Sequence, residues 1–224
     1  MTEMDSSRHA PRVAILLYDG FTALDAVGPY EVLCRVPDAS VVTVAKQAGP
    51  VRTDTGALGL VADHALHQVR QVDVLVVPGG GSRGVTAAME DQETLDWVRG
   101  MHEHTTWTTS VCTGALILGA AGLLRGVPAT TYWASRSYME TTFGAVCTPG
   151  RFVESGKIIT AAGVSAGIDM ALHLAARLTD ERTAQALQLA VEYHPLPPFD
   201  TGSPEKAGPE LQELALRLIE DAAR

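Results

Sequence analysis

The chain has 224 residues, of which 46% are apolar and 19% are charged, and its formal net charge is −9. This composition excludes intrinsic disorder, and the negative charge argues against nucleic acid as a partner, because nucleic-acid affinity depends on clustered Lys and Arg. No apolar run approaches the roughly 20 residues that a membrane-spanning helix needs, so we expect no membrane partner either.

Strands alternate with helices along the predicted chain, after a polar stretch at residues 1–11 that is typical of a disordered leader. Apolar, β-branched runs predict strands at 13–18, 40–45, 72–77, 106–111, 129–132, 151–154 and 157–161. The sequence pattern predicts helices at 22–35, 91–103, 113–124, 134–143, 165–178, 181–191 and 210–223. Glycines and prolines indicate a small β excursion at 46–66, and five prolines indicate an irregular connector at 194–209.

This alternation indicates the α/β class. Continuous apolar strands are typical of a mostly parallel sheet with helices on both faces, and one domain over 12–224 fits better than two. In the first helix, Leu24, Val27, Tyr30 and Leu33 are predicted to share one side. Asp180 is a plausible N-cap for the helix that follows it.

The cysteines are few and odd in number: Cys34, Cys112 and Cys147. Such a set does not describe a secreted disulfide scaffold, and the amino terminus lacks the apolar stretch of a secretory signal. We therefore expect a reduced, cytoplasmic protein. Cys34, within a predicted helix, and Cys147, in a short strand, are interpreted as packing residues, since free cysteine often behaves as a small apolar residue.

Cys112 is different because it lies directly between a predicted strand and a predicted helix. A residue on so sharp a turn points out of the sheet with a strained backbone, as in the nucleophile elbow of hydrolases. The start of the following helix is expected to favour the thiolate, and Gly114 permits close backbone approach. The location therefore predicts a nucleophilic cysteine at residue 112.

Asp25, just after the first strand, has two interpretations of equal weight. Together with Thr22 it could form a variant capping box at the start of the first helix. Alternatively, it borders the same sheet edge as Cys112, where it could donate and accept protons beside the thiol. Glu31 is the nearest competing carboxylate, but the helix is expected to carry it away from that edge.

The glycine run Gly79, Gly80 and Gly81 follows the third of the long strands and matches neither a phosphate loop nor a dinucleotide fingerprint. It could bring backbone N–H groups close to a ligand, or it could be only a tight turn. The pairs His64/His67 and His102/His104 lack further ligands, so we interpret them as solvated histidines and expect neither a metal nor another cofactor.

Several motifs together resemble the ThiJ/PfpI superfamily and, within it, the isonitrile hydratases. The matching stretches are ALDAVGPYEVL at 23–33, VVPGGG at 76–81, TSVCTGALILGAAGLLRG at 109–126, ATTYW at 129–133, AAGVSAGIDMALHLAA at 161–176 and VEYHPLPPFDTGSP at 191–204. The resemblance covers residues 12–205. It implies a flavodoxin-like three-layer sandwich and a homodimer.

The resemblance also implies an enzyme that adds water to an isonitrile and releases an N-substituted formamide. By the family pattern, Cys112 attacks the terminal isonitrile carbon to form a thioimidate, and Asp25 moves the protons. Thr113 helps to position the reacting group, and the N–H groups around Gly80 complete the polar side of the pocket. The implied partners are the small isonitrile and water.

Two departures from the family pattern bear on this expectation. Tyr132 stands where relatives usually carry histidine, and a phenol cannot replace an imidazole as a base near neutral pH. A mechanism that needs a Cys–His pair is therefore disfavoured, which weakens a peptidase or glyoxalase assignment more than a hydratase. The glycine turn is looser than the family's usual one, so pocket shape and substrate size could differ.

Two alternatives belong to other functional classes. Cys112 could be an oxidisable thiol in a redox or stress sensor. The chain could also be the ligand-binding module of an AraC-type regulator, but such regulators continue into a helix-turn-helix domain. Few residues follow the proline-rich segment here, and the net charge of −9 is unfavourable for binding DNA.

Overall fold

The computed structural model describes residues 10–223. Its strands are β1 (Arg12–Leu16), β2 (Ser40–Ala45), β3 (Gly49–Arg52), β4 (Gly59–Ala62), β5 (His64–Ala65), β6 (Val74–Val77), β7 (Trp107–Ser110), β8 (Pro128–Ala129), β9 (Val146–Cys147), β10 (Phe152–Ser155) and β11 (Ile158–Ala161). Its helices are α1 (Ala23–Leu33), α2 (Ser82–Glu90), α3 (Gln92–His104), α4 (Gly114–Ala120), α5 (Arg136–Phe143), α6 (Ala166–Leu178), α7 (Glu181–Ala190) and α8 (Pro209–Ala222).

Seven strands form the central sheet in the order β10-β11-β7-β6-β1-β2-β5. All neighbouring pairs are parallel except β10 and β11 at one edge. The strands β7, β6 and β1 are adjacent in the middle of the sheet, so the loops that follow them meet at the carboxyl-terminal edge, where the parallel strands end. In such sheets this edge is where ligands bind.

Helices cover both faces of the sheet, which confirms the predicted three-layer α/β architecture. Side chains of α1, α6 and α7 pack on one face, and side chains of α2, α3, α4 and α5 pack on the other. Within β1, the Ile15 side chain packs against the first group of helices and the Leu16 side chain against the second. A strand buried on both sides has no polar face, which is why its sequence is continuously apolar.

The structure differs from the predicted helices in one additional helix and two helix ends. Helix α2 was missed because only Gly84, Val85 and Ala88 of its nine residues are buried, which leaves a weak apolar pattern. Helix α4 ends at Ala120 rather than at 124, since Gly122 has a φ of +83° and reverses the chain there. Cys34 caps the end of α1 rather than lying within it.

The buried side of α1 also differs from the predicted one. Leu24 and Tyr30 are each 41% exposed, whereas Gly28 is buried. The reason is the contact with α6: a Cβ at Gly28 would lie 3.2 Å from Cγ1 of Ile168, so a larger residue would not fit without adjustment. The two helices approach closely at Gly28, so Leu24 and Tyr30 are left outside, whereas Leu33 is buried.

Other expectations have mixed outcomes. Asp180 is the N-cap of α7, because its carboxylate accepts a hydrogen bond of 2.9 Å from the N–H of Thr183. Residues 1–9 of the predicted leader lie outside the described residues. The single domain over 12–224 stays a prediction.

Candidate active site

Cys112 lies on the turn between β7 and α4 with a φ of +55°, a left-handed conformation that is strained for a residue with a side chain. Neighbouring backbone groups hold it there. Its N–H donates to the carbonyl oxygen of Ala162 at 2.9 Å, and its own carbonyl accepts from the hydroxyl of Thr131 at 2.8 Å. The geometry is that of the predicted nucleophile elbow.

The thiol of Cys112 is almost enclosed, with 6% of the residue exposed. Burial raises its pKa above the ordinary value, and the nearby charge of Asp25 raises it further. Hydrogen bonds from the N–H groups of Val164 and Thr113 and from the Thr113 side chain oppose this shift without cancelling it. The N–H of Thr113 at the helix start thus favours the thiolate, as expected, but desolvation outweighs this contribution and the pKa of Cys112 stays raised.

Asp25 is fully buried at the third position of α1. Its Oδ2 accepts a hydrogen bond of 2.9 Å from the N–H of Gly79, and Cys112 contributes a further hydrogen bond. Its Oδ1 has no hydrogen-bond partner within residues 10–223. A carboxyl oxygen that is buried and unpartnered beside a thiol is available to exchange a proton with a bound molecule.

The capping-box interpretation of Asp25 is wrong. The side chain of Thr22 makes no cap hydrogen bond to α1 and instead donates to Asp54 at 2.6 Å. Burial is the main cause that raises the pKa of Asp25 to about 7, the hydrogen bond from Gly79 opposes it, and the charge of Asp54 raises it further. Asp25 can thus exchange protons near neutral pH.

The glycine turn lies against Asp25 and Thr113. The N–H groups of Gly79, Gly80 and Gly81 donate to Asp25, to the hydroxyl of Thr113 and to the carbonyl of Gly20, respectively. A Cβ at Gly79 would lie 2.6 Å from the Thr113 nitrogen and 2.8 Å from Asp25 Oδ2, so no side chain fits there. The turn therefore positions Asp25 and Thr113, and its direct contact with a substrate stays a prediction, as does that of Gly114.

Four residues around the pair were not identified from the sequence: Tyr18, Asp54, Thr131 and Val164. The Tyr18 hydroxyl donates to the Pro78 carbonyl at 3.0 Å. Burial raises its pKa well above the ordinary value, with the charges of Asp25 and Cys112 adding to this. Tyr18 follows the first strand, and Thr131 lies in the matched stretch at 129–133, so their positions in the sequence could have indicated that they lie near the site. Asp54 comes from the β3–β4 loop, where the sequence carries no such signal.

Tyr132 lies close enough to Cys112 for the two side chains to interact electrostatically. It is half-buried, and burial raises the pKa of its phenol, so it stays neutral near pH 7. Its ring centre lies 5.5 Å from that of Trp133. A Cβ at Gly163 would lie 3.1 Å from Cδ2 of Tyr132, so the ring stands directly against the loop that leads to Val164.

The remaining candidates lie elsewhere. Glu31 is exposed and pairs with Arg35 at 2.8 Å, away from the thiol. Cys147 packs at the border of a core cluster. Within the described range, no group of three or more His, Cys, Asp or Glu could hold a metal ion.

One histidine differs from the predicted solvated state. His102 is half-buried, its Nδ1 lies 2.9 Å from the hydroxyl of Thr108, and burial lowers its pKa. It supports the packing of α3 on β7.

No helix within residues 10–223 combines the length and apolarity required to cross a bilayer.

Comparison with known proteins gives consistent matches. The profile of the DJ-1/PfpI family matches residues 11–177. The isonitrile hydratase of Pseudomonas putida is 45% identical over 198 residues, which are 88% of this chain and 85% of that protein. The crystal structure of a ThiJ/PfpI family protein from Pseudomonas syringae superposes with a TM-score of 0.89 at 36% identity, covering 100% of this chain and 94% of that one.

A regulator is also similar over part of its length. The HTH-type transcriptional regulator CdhR of Pseudomonas aeruginosa is 31% identical over 186 residues, 79% of this chain. The chain spans 52% of that regulator.

Proposed function

The chain belongs to the DJ-1/PfpI family, and from this premise we propose that it is an isonitrile hydratase with Cys112 as nucleophile and Asp25 as general acid and base. One observation carries the proposal: a buried carboxyl with a pKa of about 7 and an unpartnered oxygen lies beside a buried thiol on a strained elbow. The 45% identity to the Pseudomonas putida hydratase supports the same reaction.

The first half of the reaction adds the thiol to the terminal carbon of the isonitrile. Asp25, ionised above about pH 7, takes the proton from the Cys112 sulfur as the sulfur bonds to that carbon. Asp25 then gives the proton to the same carbon. The product is a thioimidate in which carbon carries one new S–C bond and one new C–H bond. The N–H groups of Val164 and Thr113 stabilise negative charge on sulfur during the step.

The second half hydrolyses the thioimidate. Asp25 takes a proton from water as the oxygen bonds to the carbon, and the nitrogen receives that proton. The S–C bond then breaks, the new hydroxyl becomes the formamide carbonyl, and its proton returns to sulfur through Asp25. The sum is one water added to one isonitrile, with the thiol regenerated and no cofactor required.

The sensor alternative has less support. Oxidants react with the thiolate, and burial together with the charge of Asp25 keeps the pKa of Cys112 above its ordinary value. The regulator alternative rests on partial similarity, because the chain spans 52% of CdhR.

We also propose that the protein is a cytoplasmic homodimer. The cytoplasmic location is supported by the three cysteines, which are all free. The homodimer is supported by Tyr30 of α1 and Val61 of β4, which border one groove and are 41% and 64% exposed. Exposed apolar side chains that line a shared groove are typical of association surfaces.

The decisive experiment compares three alanine variants in an isonitrile assay at pH 8 under reducing conditions. Cys112→Ala is expected to lower kcat/KM by at least about 10³-fold, because it removes the nucleophile. Cys34→Ala and Cys147→Ala make the same chemical change elsewhere and are expected to stay within about twofold of wild type. Absence of formamide with a panel of alkyl and aryl isonitriles, or full activity of Cys112→Ala, would overturn the proposal.

A further inference from the structure

A cavity of about 290 Å³ lies between α8, the connector before it and the loop before α5. Apolar groups dominate its wall: Trp133, Pro204, Ala207, Leu211, Leu214 and Leu218. Ala215 also lines it, and none of its lining residues is charged. The residues at 211, 214, 215 and 218 follow helical spacing, so one face of α8 forms the roof of this cavity.

Two consecutive aromatic residues connect the wall of the cavity with the surroundings of Cys112. Trp133 lines the cavity, and Tyr132, next to it in the chain, is close enough to Cys112 to respond to its charge. The far end of α8 reaches the opposite side of the site. There Ala223 lies 3.8 Å from the Cβ that a side chain at Gly81 would have. Helix α8 therefore extends from the Tyr132 side of the site to the glycine turn.

The roof is attached by polar contacts and not by a buried core. None of the residues of α8 is buried. Gln212 donates to the carbonyl oxygens of Pro204 and Ala207 at 2.9 and 3.0 Å, and Glu205 of the connector pairs with Arg136 at 3.3 Å. Leu214 and Leu218 remain 42% and 60% exposed although they face the cavity. An apolar molecule in the cavity would cover this face.

The chemistry of an isonitrile indicates what this molecule is. Its reactive carbon must reach the Cys112 sulfur, and the carbon–nitrogen group is small and linear, so the organic substituent must extend out of the enclosed site. A wall without charged residues favours an apolar substituent. The volume of about 290 Å³ equals that of roughly ten water molecules at about 30 Å³ each, which accommodates a six-membered ring.

We propose that the cavity under α8 binds the organic substituent of the isonitrile, and that Trp133, Leu214 and Ala215 set the size of substituent accepted. This assignment rests on the proposed hydratase function. The family profile ends at residue 177, before α8, so these residues of α8 belong to a segment outside the shared domain.

The test fills the cavity and compares substituents of two sizes. Ala215→Phe places a ring in the cavity, whereas Ile219→Phe places the same ring on α8 outside it. For Ala215→Phe, kcat/KM for cyclohexyl isonitrile is expected to fall at least about tenfold more than that for methyl isonitrile. Ile219→Phe should leave this ratio unchanged. Leu214→Ala, which enlarges the cavity, should raise the relative rate for adamantyl isonitrile.

A second readout does not depend on hydratase activity. The rates at which N-ethylmaleimide and N-cyclohexylmaleimide label Cys112 are measured by peptide mass spectrometry on the full chain. Ala215→Phe is expected to slow the cyclohexyl reagent at least about tenfold more than the ethyl reagent, and Ile219→Phe is not. Equal slowing of both reagents, or equal effects of both variants, would overturn the subsite. Failure of the wild type to hydrate any isonitrile would overturn the proposed function and leave the labelling result to decide the subsite.

Discussion

At the scale of single residues, Cys112 and Asp25 behave as one titrating unit. Burial raises the pKa of Asp25 to about 7, so it loses its proton first. The resulting negative charge, added to desolvation, then holds the thiol protonated. Above pH 7 the pair thus carries one proton, which is the state that the proposed mechanism requires for the transfer from sulfur to carbon. Both residues were identified from their places after strands, but their protonation depends on burial and on Asp54.

The raised pKa of Asp25 predicts a dependence of stability on pH. Its value is 3.8 in an unperturbed chain and about 7 in the folded protein, so between these values the folded state binds a proton that the unfolded state lacks. The free energy of unfolding should therefore fall as the pH rises from about 4 to about 7 and then level off. Asp25→Asn removes this cost, on the order of 4 kcal/mol at about 1.4 kcal/mol per pKa unit, and keeps the acceptor for Gly79.

Urea unfolding of wild type and Asp25→Asn at pH 5 and pH 8 measures this difference. The variant should gain stability relative to wild type mainly at pH 8. Asp38→Asn makes the same change at an exposed carboxyl and should alter the free energy of unfolding equally at both pH values. Parallel behaviour of wild type and Asp25→Asn across this range would contradict the raised pKa.

At the scale of elements, the site depends on how closely α4 follows β7 and approaches the end of β6. A Cβ at Gly114 would lie 2.1 Å from the carbonyl oxygen of Val77, so this first residue of α4 must be glycine for the helix to start where it does. The apolar composition predicted a buried central helix. It did not reveal that the helix ends at Ala120, because the length was set by the backbone conformation at Gly122.

Gly114→Ala is expected to destabilise the protein by about 2 kcal/mol or more, because backbone atoms must shift to remove the clash. Gly100→Ala is the matched control, since Gly100 also lies in a helix and a Cβ there meets nothing within 4 Å. The control should gain about 0.5 to 1 kcal/mol from the better helix former. Chemical denaturation measures both, and equal effects at the two positions would refute the close approach of α4 to β6.

At the scale of the whole molecule, the sheet order gathers residues that are distant in the chain. Because β7, β6 and β1 are neighbours, Cys112, Gly79 and Asp25 meet at one edge although Gly79 and Asp25 are 54 positions apart. The net charge of −9 is compatible with the proposed function, since a small neutral isonitrile needs no basic surface.

The proposed homodimer predicts a particle of twice 23.7 kDa in light scattering. Val61→Glu places a charge in the groove beside Tyr30 and should shift the protein towards the monomer, because burying an unpaired charge is costly. Leu58→Glu changes a comparably exposed residue outside that groove and should leave the mass unchanged. A monomeric wild type, or equal effects of the two variants, would reject this surface.

The sequence by itself determined the α/β class, most strands and helices, and the elbow at Cys112, because these follow from local patterns of apolar and turn-forming residues. It left two interpretations of Asp25 open, a helix cap and a proton carrier. It did not indicate that Tyr18 and Asp54 lie near the site, and it did not reveal the cavity under α8. The tertiary structure excluded the cap and revealed Tyr18, Asp54 and the cavity. A hydrogen bond between Gly79 and Asp25, the burial that shifts a pKa and the space between α8 and Trp133 all arise from packing between segments remote in the chain.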